Sequence, residues 1–156
     1  MPNWTADELA TVSLSVSTSG VSLRTIMALQ KSGTAYPYFG MFLDNDEKLV
    51  YWAREDDGTE QGPSTGVASM GDGETYVFVI TNDGTTIRVY IDGVEDHTIA
   101  AAGTFTNVDA LTFGALVLGS IARGALGETI GDAALFDRVL TPAQVLQLNR
   151  ELSWPA

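Results

Sequence analysis

Tyr76-Val77-Phe78-Val79-Ile80-Thr81-Asn82-Asp83-Gly84-Thr85-Thr86-Ile87-Arg88-Val89-Tyr90-Ile91-Asp92-Gly93-Val94 is the stretch that decides the architecture. Two runs rich in β-branched and aromatic residues flank residues 82–85, and a second tight turn, Asp92-Gly93, follows at once. Asp-Gly at the centre of a two-residue turn favours a hairpin, because glycine takes positive φ without a Cβ clash. The segment therefore reads as three consecutive antiparallel strands, a meander over residues 76–99. No nucleophile, acid or base stands where a meander could present it.

Outward from this meander the same grammar continues. Residues 11–17 alternate, with Val12, Leu14 and Val16 on one face and hydroxyl residues on the other, as a half-buried antiparallel strand does. Residues 24–29 form a second strand. Residues 39–43 and 49–53 pair across Asp44-Asn45-Asp46-Glu47 as a hairpin. The polar, glycine-rich stretch 55–73 reads as a long loop with at most one short strand. Residues 111–118 and 128–136 supply late strands that are apolar on both faces. Turn signals every 8–12 residues and the lack of βα alternation predict an all-β sandwich or barrel. One helix is marked near the end. Thr141 is its N-cap, Pro142 its first residue, Gln144 closes a capping box, and Leu140 and Val145 form a hydrophobic staple. Val145, Leu148 and Leu152 share a face that must dock on the sheet, because so short a helix does not persist alone.

The totals narrow the classes. A chain of 156 residues forms one domain, residues 1–156, with an arm over 1–10 and a capping helix over 141–152. Eight Lys+Arg against 20 Asp+Glu give a net charge of -12, a field that repels nucleic acid and anionic membranes. No apolar run approaches the ~20 residues a membrane helix needs, and the first residues lack the basic and apolar parts of a secretion signal. With no cysteine, stability rests on the core alone.

The order of strand, Asp-Gly turn, Ile-Arg-Val-Tyr-Ile-Asp-Gly-Val, Leu-Thr-Phe-Gly and Gly-Glu-Thr-Ile-Gly-Asp-Ala-Ala-Leu-Phe-Asp-Arg-Val-Leu-Thr-Pro resembles the laminin-G-like domains of the concanavalin A-like lectin/glucanase superfamily. The matching positions are Tyr90, Asp92, Gly93, Gly127, Ile130, Gly131, Asp132, Phe136, Asp137, Arg138, Leu140 and Thr141. Tyr76 stands where that family often has Trp. The resemblance implies two antiparallel sheets in a jelly-roll sandwich, with any ligand on the concave sheet or rim loops, sometimes with calcium. Fold membership by itself assigns no activity.

Candidate site chemistry falls on a few groups of residues. Glu55, Asp57 and Glu60 fit a Glu-x-Asp-x-x-Glu spacing, but the residues between them have turn composition, whereas a retaining glycosidase needs two carboxylates about 5–5.5 Å apart facing one cleft. Gly62-Pro63-Ser64-Thr65-Gly66 fits Gly-x-Ser-x-Gly without the flanking strand and helix a nucleophile elbow requires. His97, the one histidine, reads as an exposed strand residue. Asp44 and Asp46 in one loop and Asp56 and Asp57 in another offer hard oxygen ligands of the kind calcium prefers. Tyr36, Tyr38 and Trp52 are the rings proposed to stack on sugar, while Tyr51 and Trp52 point to opposite sides of their strand. The resulting expectation is a non-catalytic virion surface protein, on capsid, tail or fibre, that self-associates, contacts other virion proteins and binds host glycans. It would be made in the host cytoplasm and would enter no membrane. The alternative is an extracellular carbohydrate-binding adhesion module, and a glycoside hydrolase stands behind both.

Overall fold

The computed structural model describes residues 11–17, 24–35, 37–70, 74–100, 108–118, 121–123, 130–136 and 138–152. Twelve strands and one helix occupy them: β1 Thr11–Ser17, β2 Arg24–Gln30, β3 Tyr38–Leu43, β4 Lys48–Arg54, β5 Glu60–Ser69, β6 Thr75–Asn82, β7 Thr86–Ile91, β8 Val94–Ala100, β9 Ala110–Phe113, β10 Leu116–Leu118, β11 Ile121–Arg123, β12 Ile130–Phe136 and α1 Pro142–Leu152. A back sheet runs β12-β1-β6-β7-β8, a front sheet runs β5-β4-β3-β2-β9, and β10-β11 is a separate hairpin. Every strand pairing among the described residues is antiparallel. The sandwich is the architecture expected from the sequence.

Alternation along each strand sends one set of side chains between the sheets. From the front sheet these are Met27, Leu29, Met41, Leu43, Leu49, Tyr51 and Ala53; from the back sheet, Phe78, Ile80, Ile87, Val89 and Ile91. Tyr76, at the family's Trp position, packs partly buried against them. The outer face of the back sheet is apolar too, because Val77, Val79 and Tyr90 receive Leu140 and Val145 from the helix region. Gln144 Oε1 accepts from Thr141 N–H at 2.9 Å, and Gln144 N–H reaches Thr141 Oγ1 at 3.3 Å, closing the predicted capping box.

The meander holds as three strands. Ile91 stands opposite Val94, leaving Asp92 (φ 51) and Gly93 (φ 80) as a two-residue turn with both central φ values positive, the type I′ geometry. This turn also seats the helix: Asn149 Nδ2 donates to the Asp92 carbonyl at 3.1 Å, and Asp92 Oδ1 accepts from Val77 N–H at 2.9 Å. The first turn lies within the expected residues 82–85: β6 ends at Asn82, β7 begins at Thr86, and Asp83 N–H donates to the Thr86 carbonyl at 3.2 Å. The Asp83 carboxylate accepts from the amides of Thr85 and Thr86 and from the Arg88 guanidinium, which braces the connection.

Two expectations need correction. The stretch 55–73 is no long loop, because it carries β5, ten residues paired with β4. Its Pro and Gly are compatible with an edge strand, where one row of N–H groups needs no ladder partner. Residues 111–118 are also not one strand, since Gly114 (φ 74) separates β9 from β10. The arm over 1–10, Tyr36, Gly127 and Asp137 lie outside the described residues.

Candidate binding face on the front sheet

Side chains on β2, β3 and β4 that do not enter the core point to the outer face of the front sheet. Ala28, Tyr38, Phe42 and Val50 form a second apolar cluster there, with Trp52 packed against it. Phe42 meets Trp52 edge-on, with centroids 6.3 Å apart and planes at 65°. Aromatic pairs prefer this arrangement because the positive ring edge faces the negative ring face. Trp52 is half-buried, and its indole N–H is enclosed with no acceptor among the described residues. A buried donor left in that state calls for a partner, from a ligand or an ordered water.

Beside Trp52, on the same face, Arg54 Nε and Nη2 both donate to Glu60 Oε1, at 3.1 and 2.7 Å. Both side chains remain more than a third exposed, so this pair contributes little to stability. It does fix a guanidinium plane next to an indole. Tyr38 is directly opposite Arg54 in the β3–β4 register and shares this face with Trp52. At 4% exposure Tyr38 offers no open ring face; its phenol contacts Arg54, and burial pushes its pKa above the ordinary tyrosine value against the pull of that arginine. Tyr38 is thus a support for Arg54 where stacking on sugar was expected. Tyr51 enters the core, as the alternation required, and burial raises its phenol strongly. Tyr36 lies outside the described residues.

The four acidic residues proposed for calcium fall at opposite ends of β4. Asp44 Oδ1 accepts from the amides of Asp46 and Lys48, both at 2.9 Å, and so caps the β3–β4 turn. Asp57 Oδ1 accepts from Thr59 N–H at 2.8 Å in the β4–β5 turn, and that bond holds its carboxyl below the usual range. A seven-residue strand separates the two turns, so the four carboxylates do not converge on one ion. Among the described residues no group of three or more His, Asp or Glu side chains could hold a metal. The glucanase-like trio is dispersed as well: Glu55 pairs with Gln61, Asp57 with Thr59 and Glu60 with Arg54.

His97 departs from its sequence reading. Opposite Val89 in the register, it turns inward, and its side chain is 9% exposed with Nδ1 at 2.8 Å from Asp96 Oδ2. No sequence signal marked Asp96 or the Arg54–Glu60 pair as partners, because each joins strands whose pairing irregularities set the reach. On the back sheet, a groove of about 460 Å³ lies between residues 139–142, which lead into α1, and Thr81, Arg88 and Tyr90. Arg88 there is tied to Asp83 at 2.7 Å much as Arg54 is to Glu60; the front sheet is the better candidate because it adds Trp52 with its unanswered indole N–H.

Comparison with known proteins agrees with this architecture. A family model described as the concanavalin A-like lectin/glucanases superfamily matches residues 2–146. No curated protein matches the sequence. Among solved structures, the CBM40 of the Ruminococcus gnavus IT-sialidase superposes with a TM-score of 0.78 at 17% identity, covering 92% of this chain and 84% of that one. The same CBM40 has been solved bound to α2,3-sialyllactose. A SAP-like pentraxin from Limulus polyphemus gives a TM-score of 0.71 at 15% identity, over 96% of this chain and 73% of that one. The leech intramolecular trans-sialidase gives 0.73 at 18% identity, but the chain spans only 26% of that protein. At these identities the likeness is one of fold.

Proposed function

The chain belongs to the concanavalin A-like lectin/glucanases superfamily, and from that premise we propose that it is a non-catalytic carbohydrate-binding protein whose ligand lies on the outer face of the front sheet. The carrying observation is Trp52, half-exposed, with an enclosed indole N–H lacking an acceptor and the Arg54–Glu60 pair alongside. An aromatic plane beside a few fixed polar groups is what a sugar requires: its C–H face packs on the ring while its hydroxyls bond to the charged groups. The sialyllactose complex of a structural neighbour makes a sialylated glycan the first probe. A net charge of -12 opposes an anionic ligand at long range, so lactose is the necessary companion. The non-catalytic reading is supported by the separate partners of Glu55, Asp57 and Glu60.

The test is titration calorimetry with 3′-sialyllactose and with lactose, in calcium and in chelator. Binding to either sugar that drops at least tenfold in Trp52→Ala and in Arg54→Ala is the expected result. Binding unchanged in both variants, or none to any sugar of a broad glycan array, refutes the reading. The chelator arm tests the calcium proposal, at the Asp44–Asp46 turn or at the Asp56–Asp57 turn. A second reading, in which this lectin-like domain is displayed on a virion surface and associates with itself and with capsid or tail proteins, is supported by its acidic balance of 20 Asp+Glu against 8 Lys+Arg. Sedimentation with purified particles tests it, and a protein that stays in the supernatant ends it.

A further inference from the structure

The two edge strands β5 and β8 belong to different sheets, yet one carboxylate joins them. Asp96 Oδ1 accepts from the amides of Val67 at 3.1 Å and Ala68 at 2.8 Å on β5, while Oδ2 lies 2.8 Å from His97 Nδ1. Its side chain is 3% exposed. A carboxylate is buried to that extent only when hydrogen bonds replace its water, and here two amides and an imidazole do so. Chain register explains its position. Val89 pairs with His97 and Tyr90 with Glu95, so Asp96 is the extra residue of a β-bulge, and bulges redirect a side chain. The opposite wall is cut to match: a Cβ on Gly66 would sit 1.9 Å from Asp96 Oδ2.

Apart from Asp96, β5 is held by its ladder to β4 and by polar bonds from Glu60, Gln61 and Ser69, with little apolar burial. Of its ten residues only Gly66 is buried, and its one large apolar side chain, Val67, is 77% exposed. Its ladder to β4 is interrupted twice by register shifts. A strand with almost no apolar burial and an irregular ladder sits at the low-stability end of a fold. We propose that β5 is a strap, fastened across the seam of the sandwich by Asp96, and that loss of this latch releases the strap while the remaining strands stay folded. The strap carries Glu60, so its release also breaks the Glu60–Arg54 pair on the outer face. The latch stands whether or not that face takes a sugar.

Amide hydrogen exchange followed by NMR tests this on the whole chain, comparing wild type with Asp96→Ala and Gly66→Ala. Two different lesions at one contact should give one pattern: protection falling at least tenfold across β5, with β6 and β7 amides within threefold of wild type. Asp96→Asn keeps an acceptor for both amides and should retain most of the protection. A loss confined to Val67 and Ala68 would mean that the carboxylate merely bonds two amides, and the strap is refuted. Equal loss in every strand would show β5 to be an integral part of one cooperative unit, which overturns the proposal as well.

Discussion

Replacing Gly93 by alanine probes the junction on which the back sheet and helix both depend. Gly93 sits at φ 80, a conformation that costs an alanine about 1–2 kcal/mol. The new Cβ would also meet Leu146 Cδ1 at 3.1 Å and Asn149 Cβ at 3.4 Å, so α1 must yield by a few tenths of an ångström. Overpacking of this kind adds about 1 kcal/mol at the lower end of its usual range. The same shift strains the Asn149–Asp92 hydrogen bond, worth roughly 0.5–1.5 kcal/mol net. The sum is about 3 kcal/mol, against a total stability of about 5–15 kcal/mol. Gly84 supplies the control. Its φ is 83, but a Cβ there meets nothing within 4 Å, so Gly84→Ala should cost only the backbone share, about 1–2 kcal/mol. Urea unfolding of both variants measures the difference, and a melting temperature lower by about 6–12 °C is expected for Gly93→Ala. Leu146→Ala placed in the Gly93→Ala background should recover part of the loss, since it removes the clashing methyl group. Equal losses at Gly84 and Gly93, with no recovery, would refute the docking of α1 on this turn.

Three further outcomes follow from the same structure. Val145→Ala, at 0% exposure on the inner face of α1, should destabilise by about 2 kcal/mol and loosen α1 before the sheets, as read by helix amide exchange. Thr141→Ala removes the N-cap hydroxyl and should cost about 1 kcal/mol in urea titration, whereas Thr141→Ser should cost far less. The Asp83 carboxyl is held well below the usual carboxylate range, chiefly by Arg88 and then by Thr85 and Thr86. A depressed folded pKa means the stabilisation is present above the unfolded value near ~4 and is lost as pH falls further. The stability gap between wild type and Asp83→Asn should therefore be open at pH 7 and close progressively below about pH 4; a gap constant with pH contradicts this account.

The amino-acid sequence by itself determined what local chemistry can determine. Asp92-Gly93 enforces a hairpin because few other pairs accept two positive φ angles, and the alternation around it assigns each side chain to a face. Thr141, Pro142 and Gln144 start the helix through bonds made within four residues, which makes that end legible without the rest of the chain. Tertiary structure decided whatever depends on reach between strands far apart in sequence. Glycine and proline in residues 60–69 have the composition of a loop, yet they form β5, because β4 offers a ladder and Asp96 needs Gly66 bare. His97 reads as exposed until the β8 bulge fixes its register and turns it inward. Tyr38 and Trp52 both look like open rings; burial depth, which no local pattern encodes, makes one a prop for Arg54 and leaves the other at the surface with its N–H unanswered.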